Sequence, residues 1–174
     1  MYFDELKKAM ALLAADERTI FIGQAISYPG QAAFDTFAGV PTGKRIELPV
    51  FENTQVGMST GLSLAGFIPV SFFPRWDFLI AAADQLVNHL DKIAEVSDFR
   101  PKVIIRVGVG GTSPLDPGPQ HTQNHTAAMR FMLKNIPLID LQQADLIVSN
   151  YQLALSMPGS VIVVEHMSRY REKT

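Results

Sequence analysis

Six short strand-like runs, most of them largely apolar and the second weak, separated by stretches of helical spacing, constrain most strongly what this chain can fold into. The runs are Thr19-Ile20-Phe21-Ile22-Gly23, Arg45 to Val50, Gly66 to Phe73, Val103 to Val107, Leu138 to Leu141 and Ser160 to Glu165. Several are continuously apolar, as strands buried on both faces are. Phe3, Leu6, Met10 and Leu13 recur at helical spacing and predict a helix over 3–16. Further helices are expected over 53–65, 76–95 (the longest), 125–134 and 144–156, and Tyr28-Pro29-Gly30-Gln31 is expected to open a short one. Strands alternating with helices predict an α/β fold: three layers, with a mostly parallel sheet covered by helices on both faces. Pro49 should stop the second strand.

The 174 residues, read as one domain over 1–174 with no linker dividing it, suffice for a substantial core. A net charge of −2 gives no electrostatic footprint for nucleic acid. The absence of cysteine excludes disulfides and thiolate metal sites and makes a reducing cytoplasm the expected compartment. No apolar stretch is long enough for a membrane helix, and the charged start does not read as a signal peptide.

Common chemical motifs are missing. There is no phosphate loop, no GxSxG elbow and no HExxH. Val107-Gly108-Val109-Gly110-Gly111-Thr112 follows a strand but lacks the third glycine of a dinucleotide fingerprint, and Pro114 and Pro117 interrupt any helix there. His121 and His125 lie four apart and offer only a weak metal alternative; no metal site is expected on this chain. In parallel sheets ligands bind beyond the carboxyl ends of strands. Here those ends are Phe51-Glu52-Asn53, Pro74 to Phe78 and the loop 108–124.

Glu52 stands at a strand-to-helix junction, where a carboxyl often serves only to stabilise free backbone N–H groups. The segment after it is less ordinary. Residues 53–65 are rich in Gly and Ser, poor helix formers that suit a helix only where neighbours pack close. From Glu52, glycines fall five, nine and fourteen residues onward at Gly57, Gly61 and Gly66, and Pro69-Val70 comes next. This run resembles the transketolase-type pyrimidine-binding domain, and most narrowly the N-terminal domain of the E1 β subunit of 2-oxoacid dehydrogenases. Three further blocks are similar to that family: Trp76-Asp77-Phe78-Leu79 with Ala83 to His89, Lys102 to Arg106 with Gly110-Gly111, and Gly118-Pro119-Gln120-His121-Thr122-Gln123. The resemblance runs over about 3–166.

The resemblance implies a thiamine diphosphate-binding fold and the pyrimidine side of a cofactor shared between two domains. Thiamine diphosphate would lie across an interface, with Mg²⁺ and diphosphate held by a separate E1 α-like chain, since no GDG…N motif occurs here. By the same resemblance Glu52 bonds the pyrimidine ring nitrogen and promotes loss of the thiazolium C2 proton, the step that makes the cofactor a nucleophile toward a 2-oxo carbonyl. Phe78 matches the aromatic that stacks on the ring, though a Phe at a helix start is often simply buried. His121 matches a catalytic histidine, though a lone His in a Gly/Pro loop is often inert. Gln85 is carried as a cofactor contact, and with Asn88 it could instead make structural or interface hydrogen bonds. Arg75 and Trp76 depart from the family and are expected to select an anionic or bulky substrate. His89 and His125 read as packing or surface residues. Arg106 either holds a buried carboxylate or merely ends a strand.

The expected activity is decarboxylation of a 2-oxo acid or acyl or ketol transfer, in an α₂β₂ assembly or at least a homodimer. The family's usual C-terminal domain is expected to be absent. An inactive scaffold subunit, or an unrelated α/β binding domain, are the competing readings.

Overall fold

A computed structural model describes residues 1–30, 33–113 and 116–172. Six strands form one sheet in the order β2-β1-β3-β4-β6-β5, every pairing parallel. They are β1 (Thr19–Gly23), β2 (Arg45–Glu47), β3 (Ile68–Phe73), β4 (Ile104–Val109), β5 (Leu138–Leu141) and β6 (Val161–His166). All six residues of β3 and of β4 are buried, including Ser71 and Arg106 within otherwise apolar runs. Edge strands β2 and β5 are partly exposed.

Helices α1 (Tyr2–Ala15) and α6 (Ile147–Ser156) cover one face. Tyr2, Leu6, Met10 and Leu13 pack there with Phe21, Phe37, Phe72 and Tyr151. Helices α2 (Glu52–Leu64), α3 (Trp76–Leu79), α4 (Ile93–Val96) and α5 (Thr126–Met132) lie in the remaining layer or at its margin. Its core joins Val56, Trp76, Leu79, Leu86 and Met129 to Ile105 and Val107 of β4. The three-layer expectation holds. No helix among the described residues is long and apolar enough to cross a membrane.

Three local expectations change. The helix expected over 76–95 is broken: α3 passes into a 3₁₀ turn (Ile80–Ala82), a π-helix (Gln85–Leu90) and α4, leaving α1 the longest helix at 14 residues. The hydrogen-bonding pattern changes along the segment although Trp76, Leu79, Ala82, Leu86 and Leu90 keep the three- and four-residue spacing of a single helical face. The next residue, Asp91, then turns its buried carboxylate onto the backbone N–H groups of Lys134, Asn135 and Ile136. β2 keeps only three residues before Pro49. The segment 24–30 forms bends, with the first short helix at Phe34–Phe37, and Gln31 of the expected helix lies outside the described residues, as does Pro114 in the 108–124 loop.

The small-residue helix α2 forms as expected, with Gln55, Val56 and Ser59 fully buried, while its glycines are less crowded. A Cβ on Gly57 would meet Gln85 Oε1 at an ordinary 3.6 Å. Gly61 faces open space among the described residues, and Met58 and Leu64 are exposed beside it.

Buried Arg106, midway along β4, takes the first of its two expected roles. Its guanidinium grips Glu165 of β6 through Nε at 2.5 Å and a terminal nitrogen at 2.9 Å. The hydroxyls of Tyr151 and Tyr170 donate to the same carboxylate. Phe37 and Phe72 stack on the guanidinium at 4.8 and 4.9 Å.

Candidate active site

β1 and β3 are neighbours, and the chain leaves them in opposite directions across the sheet, so their carboxyl ends mark a topological switch point. β1 ends at Gly23, and Gln24 comes next. Glu52 opens α2 after β2, and Arg75 to Phe78 lie just past β3. Glu52, half-buried, sits where free helix N–H groups favour negative charge. Its Oε1 accepts a hydrogen bond from Gln24 Nε2 at 3.1 Å.

Gln24 is held in turn by its own loop. Glu47 at the end of β2 accepts the backbone N–H groups of Ala25, Ile26 and Ser27 at 2.5, 2.9 and 2.8 Å. Ala25 has φ +53°, a left-handed conformation uncommon outside glycine. The three bonds to one carboxylate offset its cost and fix the direction in which Gln24 leaves β1.

Phe78 and His121 come together. Their rings meet edge to face with centroids 5.4 Å apart, both half-buried. His121 Nδ1 is buried and has no hydrogen-bond partner among the described residues. The histidine belongs to a compact turn: Gly118 N–H bonds Asp116 Oδ1, and Gly118 O accepts His121 N–H at 3.1 Å and the Thr122 hydroxyl at 3.2 Å. Gly118 adopts φ +78°, which only glycine takes without strain.

Arg75 does not extend freely toward a ligand. One terminal nitrogen donates to Gly110 O at 2.8 Å and to His121 O at 2.6 Å. Burial lowers its pKa and the Asp77 charge opposes that. Trp76 is fully buried in the core, and its indole N–H donates to Thr126 Oγ1 at 3.0 Å, so packing accounts for it within this chain. Gln85 is half-buried beside α2, whereas Asn88 is exposed and bonds Asp84. His89 is exposed near Asp84, and His125 precedes α5 without a side-chain hydrogen bond to the helix.

Two glutamines of the site carry no sequence signal of their own. Gln24 is marked only by its place just past a strand's carboxyl end. Gln55 is fully buried one turn into α2. Its Nε2 bonds Ser71 Oγ and Phe72 O, and its Oε1 is unpartnered. A cleft of about 590 Å³ lies elsewhere, at the amino ends of β4 and β6 between Leu90, Pro101, Ile136 and Pro158. No group of three or more potential metal-ligating side chains occurs among the described residues.

Past the carboxyl ends of the strands, Glu52 with Gln24 and Phe78 with His121 thus present a carboxylate, a half-buried aromatic ring and an imidazole. The all-parallel six-stranded sheet with helices on both faces is a three-layer pyrimidine-domain fold of the thiamine diphosphate-binding type.

Comparison with known proteins agrees. The chain is similar to the β subunit of 3-methyl-2-oxobutanoate dehydrogenase of Mycobacterium tuberculosis, strains CDC 1551 / Oshkosh and ATCC 25618 / H37Rv. Identity is 26% over 137 residues, covering 72% of this chain and 38% of each relative. Among solved structures it is similar to a split-gene transketolase described as an inactive β4 tetramer, with TM-score 0.75, 18% identity, and coverage of 96% of this chain and 51% of that one. Transketolase from Campylobacter jejuni subsp. jejuni NCTC 11168 matches with TM-score 0.69, 16% identity, and coverage of 95% and 25%. No family model matches. The chain thus spans about two fifths of the length of the curated relatives it matches. Its similarity to that β subunit and its transketolase-like fold support a pyrimidine-type domain.

Proposed function

We propose that this chain is the pyrimidine-side subunit of a thiamine diphosphate-dependent enzyme acting on a 2-oxo acid or related carbonyl compound. A separate diphosphate-binding chain would complete the site, in an α₂β₂ assembly or on a homodimer of this chain. The supporting observation is the placement of Glu52: it opens α2 beside the switch point, with one carboxylate oxygen bonded to Gln24 and its side chain half-buried rather than sealed. The residues flanking it support a partner as well. Val50 and Phe51, 71% and 58% exposed, form an apolar rim beside a polar site, a combination that a second chain would cover.

Bound thiamine diphosphate supplies a carbon nucleophile for carbonyl substrates. In this reading each of the chain's own residues has a separate task. Glu52 accepts and shares the proton at the pyrimidine ring nitrogen. Gln24 holds the carboxylate in one orientation, so that little reorganisation is needed when a proton moves. Phe78 offers its ring to the pyrimidine. His121, steadied against Phe78, holds or delivers a proton at the substrate oxygen, help typically worth about 10²–10⁴ in rate. Gln85 borders the same helix. Mg²⁺ would take its ligands from the partner chain.

Co-expression with the diphosphate-side chain tests the reading. The purified pair, supplied with thiamine diphosphate and Mg²⁺, should consume a 2-oxo acid, and Glu52→Gln should abolish consumption without separating the chains. Full activity of Glu52→Gln would remove the assignment.

A further inference from the structure

Three consecutive residues after β3 each fasten the segment that carries His121. Arg75 binds the His121 carbonyl, Trp76 donates to the Thr126 hydroxyl, and Asp77 Oδ1 accepts from Gln123 Nε2 at 2.9 Å. The next residue, Phe78, meets the His121 ring itself. Arg75 also reaches Gly110 O, and Gly110 adopts φ +67°, so both ends of the loop after β4 are tied to one guanidinium.

We infer that Arg75 is a positioning residue that locks the His121 turn against Phe78, rather than a contact for the substrate. The geometry gives the reason. A guanidinium presents several donors in a rigid plane and stays charged, so it can satisfy two inward-facing carbonyls that a partly buried loop would otherwise leave unpaired. Buried carbonyls without partners are costly, and a loop that lost this donor would turn them to water, carrying His121 away. Trp76 and Asp77 anchor the far end of the segment but leave the His121 carbonyl itself to Arg75. The inference rests on the proposed role of His121, yet its structural half can be measured without any catalysis.

Hydrogen exchange of the full chain supplies that measurement. Arg75→Ala should raise exchange of the amides over 118–126 by about tenfold or more, while β3 and β4 keep wild-type protection. The ring-current shift of the His121 imidazole in the NMR spectrum should collapse alongside. Arg75→Lys, which keeps one charged donor group, should restore part of both. Unchanged exchange over 118–126, or a rise spread equally over β3 and β4, would overturn the inference. In the assembled enzyme, Arg75→Ala should lower kcat by about a hundredfold with KM little changed, as misplacement of a catalytic group does. A raised KM with kcat preserved would indicate substrate contact and overturn it. If the exchange result holds while the assembled pair shows no thiamine-dependent activity, the proposed function fails and the locking role stands.

Discussion

Replacing Glu165 by glutamine removes the charge that faces Arg106 while keeping the shape of the side chain. Both residues of the pair are 0% exposed. The carboxylate takes two hydrogen bonds from Arg106 and one each from Tyr151 and Tyr170. A glutamine offers one acceptor oxygen and turns an NH₂ toward donors on its other side, so it cannot take all four. Arg106 already has one buried nitrogen without a partner. The variant would leave a buried, poorly compensated cation, and removing one member of a buried pair costs about 3–5 kcal/mol. At roughly 2–4 °C per kcal/mol for a chain of this size, Tm should fall by about 6–20 °C. Thermal unfolding followed by circular dichroism reads this directly. The double variant Arg106→Met with Glu165→Leu should recover much of the loss, because the apolar pair leaves no charge stranded. A Glu165→Gln variant melting within about 2 °C of the wild type would refute the reasoning, since it would mean that the ion pair is not sealed from water.

Other outcomes rest on neighbouring contacts. Lys102 donates to the carbonyls of Ala154, Met157 and Gly159 where α6 ends, and burial, with the Arg18 charge second, pulls it from 10.5 down to about 8. Between those two pH values the unfolded chain binds more protons, so stability should rise with pH from about 8 to 10.5, by on the order of 1 kcal/mol because the group is only half-buried. Urea denaturation at pH 8 and 10 should show that rise in the wild type and not in Lys102→Met. A methyl group at Gly108 would overlap the Pro74 carbonyl oxygen, so Gly108→Ala should cost about 1–3 kcal/mol. An unshifted denaturation midpoint would contradict this close approach.

The strands are legible where burial on both faces makes the sequence mostly apolar, as in β3, β4 and β6, although Ser71, Arg106 and Glu165 interrupt them. α1 is legible because its four apolar positions keep helical spacing. The 76–95 segment reads as one helix in sequence and is not one: its inward residues keep ordinary helical spacing while the backbone hydrogen bonding passes through 3₁₀ and π turns between them, which periodicity does not record. Glu52 can be singled out because the run behind it, with its glycines, resembles the transketolase-type pyrimidine-binding signature. The purpose of Arg75, Trp76 and Asp77 cannot, because their partners lie 46, 50 and 46 residues away. Long-range pairs of this kind leave no periodic trace. For the same reason the sequence leaves Arg106 with two roles, and only the neighbouring strand β6 supplies Glu165.

Proton exchange at C2 of bound thiamine diphosphate, followed by NMR after mixing the assembled pair with D₂O, tests the role of Glu52 most directly. The wild-type pair should exchange that proton at least about a hundredfold faster than the Glu52→Gln pair at equal cofactor occupancy. Equal rates in the two would show that the carboxylate takes no part in activating the cofactor.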